Sequence, residues 1–267
     1  MMRNVDIEAS GVPMPKRINR VPLDRILDKL DLFMNRKDYS GAERHLLYWL
    51  EEAKLGNDLQ GQLQICNELV GFYRKTGQSS GAHTYADAAL ALLEQSESGD
   101  RVITGTTCVN VATAYCAFDE DEKALPLFER ARAIYESNPL TPAHLKGGLY
   151  NNMALTYQKL TQFDQALNCY ELALNAMETV PGGKLEQAIT CLNMADAIEA
   201  MDGPEAGEER IFALLDRAYD LLMDPSLSHD GYYAFVCEKC APGFSYHGYF
   251  VAAQELEEEA KKFYERS

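Results

Sequence analysis

Apolar and small residues return along this chain at three- and four-residue spacing, broken by short polar turns. In residues 151–174, NNMALTYQKLTQFDQALNCYELAL, the residues Ala166, Tyr170 and Ala173 fall at i, i+4 and i+7, one face of a helix. Alanine at such places lets two helices approach closely, and the aromatic fills the groove between them. The intervening turns are polar, Lys75-Thr76-Gly77-Gln78 in one place and Phe118-Asp119-Glu120-Asp121 in another. No run of 18 apolar residues occurs, so no segment is expected to span a membrane.

The pattern repeats. Residues 109–132 align with 151–174 at a spacing of 42 and share seven identities in 24 positions, among them Asn110/Asn152, Tyr115/Tyr157, Ala124/Ala166 and Ala131/Ala173. Another 42 residues upstream, Tyr73, Ala82 and Ala89 continue the series, and Ala42 lies 40 residues before Ala82. Each repeat reads as a helix, a short turn and a second helix. In residues 147–180, Tyr150, Met153, Ala154, Tyr157, Ala166, Tyr170 and Ala173 sit where the tetratricopeptide repeat carries its large, small and aromatic signature residues. The chain therefore resembles that family over roughly residues 22–266. Its period of 42 exceeds the usual length of about 34, which predicts longer helices. The string LYNNMALTY and Pro126, early in a second helix, are similar to the long repeats of kinesin light chains.

The resemblance implies an all-α fold, a right-handed superhelical solenoid of about six antiparallel helix pairs. Residues 1–20 are expected to form a flexible tail, with docking along the array as the alternative, and residues 21–267 the repeat domain. The first repeat departs from pattern, with Lys29 and Trp49 at core positions, as terminal repeats often do. The fifth carries about four extra residues, assigned to its turn at 202–207. Pro242 and Gly243 fall inside the first helix of the sixth, where proline is expected to kink or end it.

In the family, the first helices line the binding groove. Carried over by frame, groove positions fall on Gln64, Asn67, Arg74 and Lys75, then on Asn110, Thr113 and Cys116. They continue with Asn151, Asn152, Leu155, Gln158 and Lys159, and end with Asn193, Asp196 and Glu199. Asn110, Asn152 and Asn193 form a column whose amides offer a donor and an acceptor to the backbone of an extended peptide. The same asparagines equally well bond a neighbouring helix and stiffen the stack. Arg74, Lys75 and Lys159 suit an acidic side chain or a terminal carboxylate, or are solvated charge near a turn. The full lysine and asparagine set of chaperone-binding repeats is not present.

Charge narrows the partners. With 25 Lys plus Arg against 41 Asp plus Glu the formal charge is −16, which disfavours phosphate backbones and anionic membranes. The acid gathers in second helices and turns, as at 119–122 and 255–259. The N-terminal residues show no apolar signal segment, and seven cysteines without one point to reduced thiols in a cytoplasm. Cys237-Glu-Lys-Cys240 with His229 and His247 nearby admits a zinc or redox reading. Packing is the favoured reading, because Cys66, Cys108, Cys191 and Cys237 all fall at the same repeat position. No catalytic motif, cofactor loop or metal-binding signature accompanies them.

The expected function is a non-enzymatic module that binds protein or peptide on its groove, with self-association allowed and no cofactor. Two alternatives remain. One is a sensor of a short signalling peptide, of the bacterial type, acting through a protein partner; the 20 residues before the first repeat are too few for a DNA-binding helix-turn-helix. The other is a metal-binding or enzymatic unit centred on the sixth repeat, with Phe244, Tyr246, Tyr249 and Phe250.

Overall fold

The structure, a computed structural model, describes residues 20–95 and 101–265. The expected tail at 1–20 lies outside the described residues but for Arg20. Among the described residues there are twelve helices and no strand. They divide into two compact units, Met1–Ser96 and Glu97–Ser267.

The first unit holds α1 (Leu23–Asn35), α2 (Tyr39–Leu55), α3 (Leu59–Lys75) and α4 (Ser79–Gln95). The second holds α5 (Arg101–Ala117), α6 (Asp121–Ser137), α7 (Ala143–Lys159), α8 (Phe163–Glu178), α9 (Lys184–Asp202), α10 (Pro204–Leu222), α11 (Gly231–Tyr246) and α12 (Phe250–Tyr264). Odd and even helices pair in sequence order into six repeats, and within the second unit α6 packs on α7 and α8 on α9. Six consecutive helices, α2 through α7, run 17 residues each, as the long period requires.

The second helices α4, α6, α8 and α10 present the same buried spacing. Ala82, Ala86, Ala89 and Leu93 of α4 recur as Ala124, Phe128, Ala131 and Tyr135 of α6, and as Ala166, Tyr170, Ala173 and Met177 of α8. A small residue at the first and third places brings the paired helix close, and the bulkier second and fourth places fill the gap. In α2, Trp49 stays half-buried at the third place, and Leu50 and Ala53 take the core instead.

The turns share a backbone device. Lys37, Gly77, Asp119, Thr161 and Gly248 occupy one repeat position, and each has a positive φ, between 57° and 84°. The next amide closes a six-residue ring onto the aromatic carbonyl of the first helix: Gln78 N–H to Tyr73, Glu120 to Tyr115, Gln162 to Tyr157 and Tyr249 to Phe244, all at 2.8–2.9 Å. This left-handed closure satisfies the orphan carbonyls of the helix end. Asp38 and Asp58 then cap the next helices, accepting from Gly41 N–H (2.9 Å) and Gly61 N–H (3.0 Å).

Two expectations are corrected. The extra residues of the fifth repeat do not lengthen its turn. Gly203 alone (φ +82°) joins α9 and α10, both of 19 residues, because Pro204 is pre-set for the first helical position. Nor does Pro242 end α11, which runs on to Tyr246. Pro242 and the i−4 residue Glu238 are both exposed, so the missing N–H falls on the solvent side of the helix, where it costs least.

Candidate binding surface of the first helices

In the first unit, Arg74 and Lys75 are exposed in the last turn of α3, where the helix dipole favours cations. Asn67, one turn back and more, is buried. In the second unit the odd-numbered helices α5, α7, α9 and α11 are successive neighbours and form one layer.

Hydrogen bonds stitch that layer, and they consume some of the expected site residues. Asn193 Nδ2 donates to Asn151 Oδ1 at 3.3 Å, and Thr190 Oγ1 donates to the same oxygen at 3.3 Å. Lys159 Nζ, on α7, reaches back to the turn of the preceding repeat. It donates to the Cys116 carbonyl (3.1 Å), Asp121 (3.3 Å) and Asp119 (3.4 Å). Burial works against the ammonium, but the two carboxylates outweigh it and raise the Lys159 pKa. Gln158 Oε1 accepts from Tyr170 (2.8 Å), and Thr113 Oγ1 donates to its own helix at the Val109 carbonyl (2.7 Å).

Asn110 on α5 and Asn152 on α7 differ. Both are half-buried, and among the described residues neither side-chain amide makes a hydrogen bond. The column read from the sequence thus splits: its third member is tied to Asn151, while the first two keep their amides available.

A second set of residues joins α9 to α11, and of these Glu186, Tyr232 and Phe235 were not singled out from the sequence. Tyr232 of α11 donates to Glu186 of α9 (2.9 Å), Tyr246 donates to Glu199 (3.2 Å), and His247 Nε2 lies 3.3 Å from Asp196 Oδ1. Partial burial raises the Asp196 pKa against the pull of His247. Phe235 stacks on Tyr232, ring centroids 6.3 Å apart. Phe235, Tyr232 and Tyr246 remain 51%, 47% and 70% exposed. The signal was present: extending the groove frame one repeat further lands on Phe235 and Tyr246.

The cysteine pair gives no such surface. Cys237 and Cys240 are buried free thiols in the body of α11, and burial pushes them up to about 11 and about 12. A redox thiol needs the opposite shift. His229 faces Glu259 (3.2 Å) and stacks on Tyr233. Among the described residues no three His, Cys, Asp or Glu side chains gather as metal ligands, and no helix is long and apolar enough to cross a membrane.

Comparison with known proteins agrees with the repeat frame. Residues 62–137 and 149–185 match tetratricopeptide repeat families. No curated protein matches the chain. Among solved structures, the nearly identical TPR-like repeats described as those of a kinesin light chain from Podosopora anserina superpose with a TM-score of 0.56. They are 18% identical and cover 75% of this chain and 93% of that one. BtubC (BKLC) from P. vanneervenii superposes with a TM-score of 0.55 at 17% identity, over 91% of both chains. Residues 62–137 and 149–185 thus carry tetratricopeptide repeats, and the helix pairs on either side continue the same frame. The array has the fold of kinesin light chain-like repeats, and repeats of this kind are generally protein–protein interaction modules.

Proposed function

We propose that the first-helix layer of residues 101–265 holds an extended polypeptide. The observation that carries this reading is the pair Asn110 and Asn152, on adjacent first helices, whose amides are not taken up by the fold. An amide presents a donor and an acceptor, which matches one peptide unit of an extended chain irrespective of its sequence. Asn151, Gln158, Lys159 and Asn193 frame these positions, and Thr113 lies one turn beyond Asn110. Arg74 and Lys75, with Asn67 behind them, offer a separate contact in the first unit for an acidic group. The protein is read as a binding module and not an enzyme, working in the cytoplasm on protein or peptide and not on nucleic acid or membrane.

The test is crosslinking and affinity capture with the full chain and with Asn110→Ala/Asn152→Ala. The double variant is expected to lose partners that the wild type captures. Identical partner sets from both would remove the groove assignment.

A further inference from the structure

Neither α5 nor α7 contains an aspartate or a glutamate, although the whole chain carries 41 of them. Of the cations on α7, Lys159 is bonded to Asp119 (3.4 Å) and Asp121 (3.3 Å), and the charge of Lys146 acts on Glu136 of α6. Arg101 and His144 lie at the helix starts, more than two turns before Asn110 and Asn152. The surface around the two amides is therefore polar but uncharged, with Val109, Thr113 and Leu155 half-buried or exposed beside them. Gly148, one turn before Asn152, is exposed, and a Cβ there would meet nothing within 4 Å. The helix surface is bare at that point, so another backbone can come close to it. A charged side chain of a ligand would lose water here and find no partner.

Spacing narrows the ligand further. Asn110 and Asn152 hold one repeat position on neighbouring helices, so their separation follows the helix spacing, about 8–10 Å. In a β-strand, residues pointing the same way recur about every 7 Å, which misses that spacing at one interval and at two. In polyproline II they recur at every third residue, about 9 Å on, and the backbone makes no internal hydrogen bonds, so its carbonyls are free to accept. A non-proline residue at every third place keeps an N–H for the amide oxygen.

Two helices further along the layer, α11 exposes Tyr232, Phe235 and Tyr246, the phenols of Tyr232 and Tyr246 being held by Glu186 and Glu199. Charge beside these rings has both signs: exposed Lys239 shares their face, and Glu238 is bonded to Tyr264 of α12 (3.2 Å). The rings thus select no ion. They offer flat, oriented apolar area, against which the prolines of a polyproline II segment pack. Three helix spacings, from α5 to α11, correspond to about nine residues of such a segment.

We propose that the first-helix layer of the second unit takes an uncharged, proline-rich segment in the polyproline II conformation, its backbone on Asn110 and Asn152 at every third residue and its prolines on Phe235 and Tyr246. This rests on the reading of the layer as a peptide site and names the class of segment it takes.

The test is fluorescence anisotropy on the full chain with a labelled peptide of Ser-Pro-Pro triplets, beside Ser-Gly-Gly, Glu-Pro-Pro and Lys-Pro-Pro versions, in about 0.3 M salt to screen the general charge of the protein. The Ser-Pro-Pro peptide is expected to bind about tenfold more tightly than the Ser-Gly-Gly peptide, which has to be ordered on binding, and several-fold more tightly than either charged one. Asn110→Ala/Asn152→Ala is expected to weaken it by about tenfold, and Phe235→Ala several-fold. Glu208→Gln/Glu209→Gln, on an exposed stretch of α10, is expected to leave its affinity unchanged. Circular dichroism melts establish that all variants are folded. A Ser-Gly-Gly peptide that binds as tightly, a charged version that binds more tightly, or failure of the Ser-Pro-Pro peptide to bind would overturn the proposal. Random-peptide selection on the same chain separates the two readings. Selected peptides that lack proline but are lost with Asn110→Ala/Asn152→Ala would sink this inference alone. No binder of any composition would sink both.

Discussion

In the fourth repeat, α7–α8, the polar residues of the first helix turn inward to the array: Asn151 to Asn193, Gln158 to Tyr170, Lys159 to the preceding turn. In the sixth, α11–α12, Tyr246 at the place of Lys159, and Phe235 on the same helix, stand out into solvent. The cores nevertheless follow one rule. Ala166, Tyr170 and Ala173 are buried in α8; Ala253, Leu256 and Ala260 in α12. A repeat with neighbours on both sides uses its polar face to hold them. Among the described residues the sixth repeat has a neighbour on one side only; Tyr232 and Tyr246 bond it through their hydroxyls, while much of their surface stays in solvent.

The sharpest way to break this comparison is to hollow each core. Tyr170→Ala removes a fully buried ring between two neighbouring repeats and is expected to cost about 3–5 kcal/mol in urea unfolding. Phe244→Ala removes a ring equally buried, which meets Tyr249 of its own repeat and Tyr219 of α10 but, among the described residues, no helix of the third or fourth repeat. Hydrogen exchange should then show the sixth repeat opening alone while α5–α8 keep their protection. A uniform loss of protection would mean that the sixth repeat is as integrated as the fourth.

Alkali should separate the same two regions next. Buried thiols that ionise only at about 11 (Cys169) or at about 11 and about 12 (Cys237 and Cys240) start from an ordinary value of 9.0. The unfolded chain loses those protons first, so their contribution to stability is whole below pH 9 and falls as pH rises toward the folded values. With two thiols against one, the sixth repeat is expected to loosen first above pH 9. Cys237→Ala/Cys240→Ala should flatten the pH dependence of its opening; an unchanged slope would count against this.

The turn residues offer a finer test. Thr161 and Gly248 share one left-handed position, at φ 57° and 84°. Thr161→Gly is expected to stabilise the fourth repeat by about 1 kcal/mol, and Gly248→Thr to destabilise the sixth by about as much, read as shifts in melting temperature. Smallest is the exchange of helical glycines. A Cβ on Gly243 meets Leu192 at an ordinary 3.7 Å, so Gly243→Ala should gain roughly 0.5–1 kcal/mol. A Cβ on Gly147 would lie far too close to the Met177 sulfur, so Gly147→Ala should gain less than that or lose stability.

Much of the fold was legible in local spacing. The alanines at 42, 82, 124 and 166 are all buried, as are the cysteines at 66, 108, 191 and 237, because each position meets its partner within one helix pair. The fifth repeat's extra residues were misplaced because four residues, about one helical turn, extend two helices without changing their faces. Which asparagines bond each other was not legible at all. Asn151 and Asn193 are 42 residues apart, and only the register between repeats decides whether Nδ2 reaches Oδ1 or solvent. The α9–α11 seam depends on contacts 46 to 51 residues apart for the same reason.

The thiols distributed along the second unit give it an internal clock. Cys108, Cys169, Cys191 and Cys237 sit one in each of four successive repeats, each sealed from solvent and each free. An alkylating reagent can reach any of them only when that repeat comes apart. Mass spectrometry of the order in which the four acquire label would therefore record, without a single mutation, the sequence in which the array unzips.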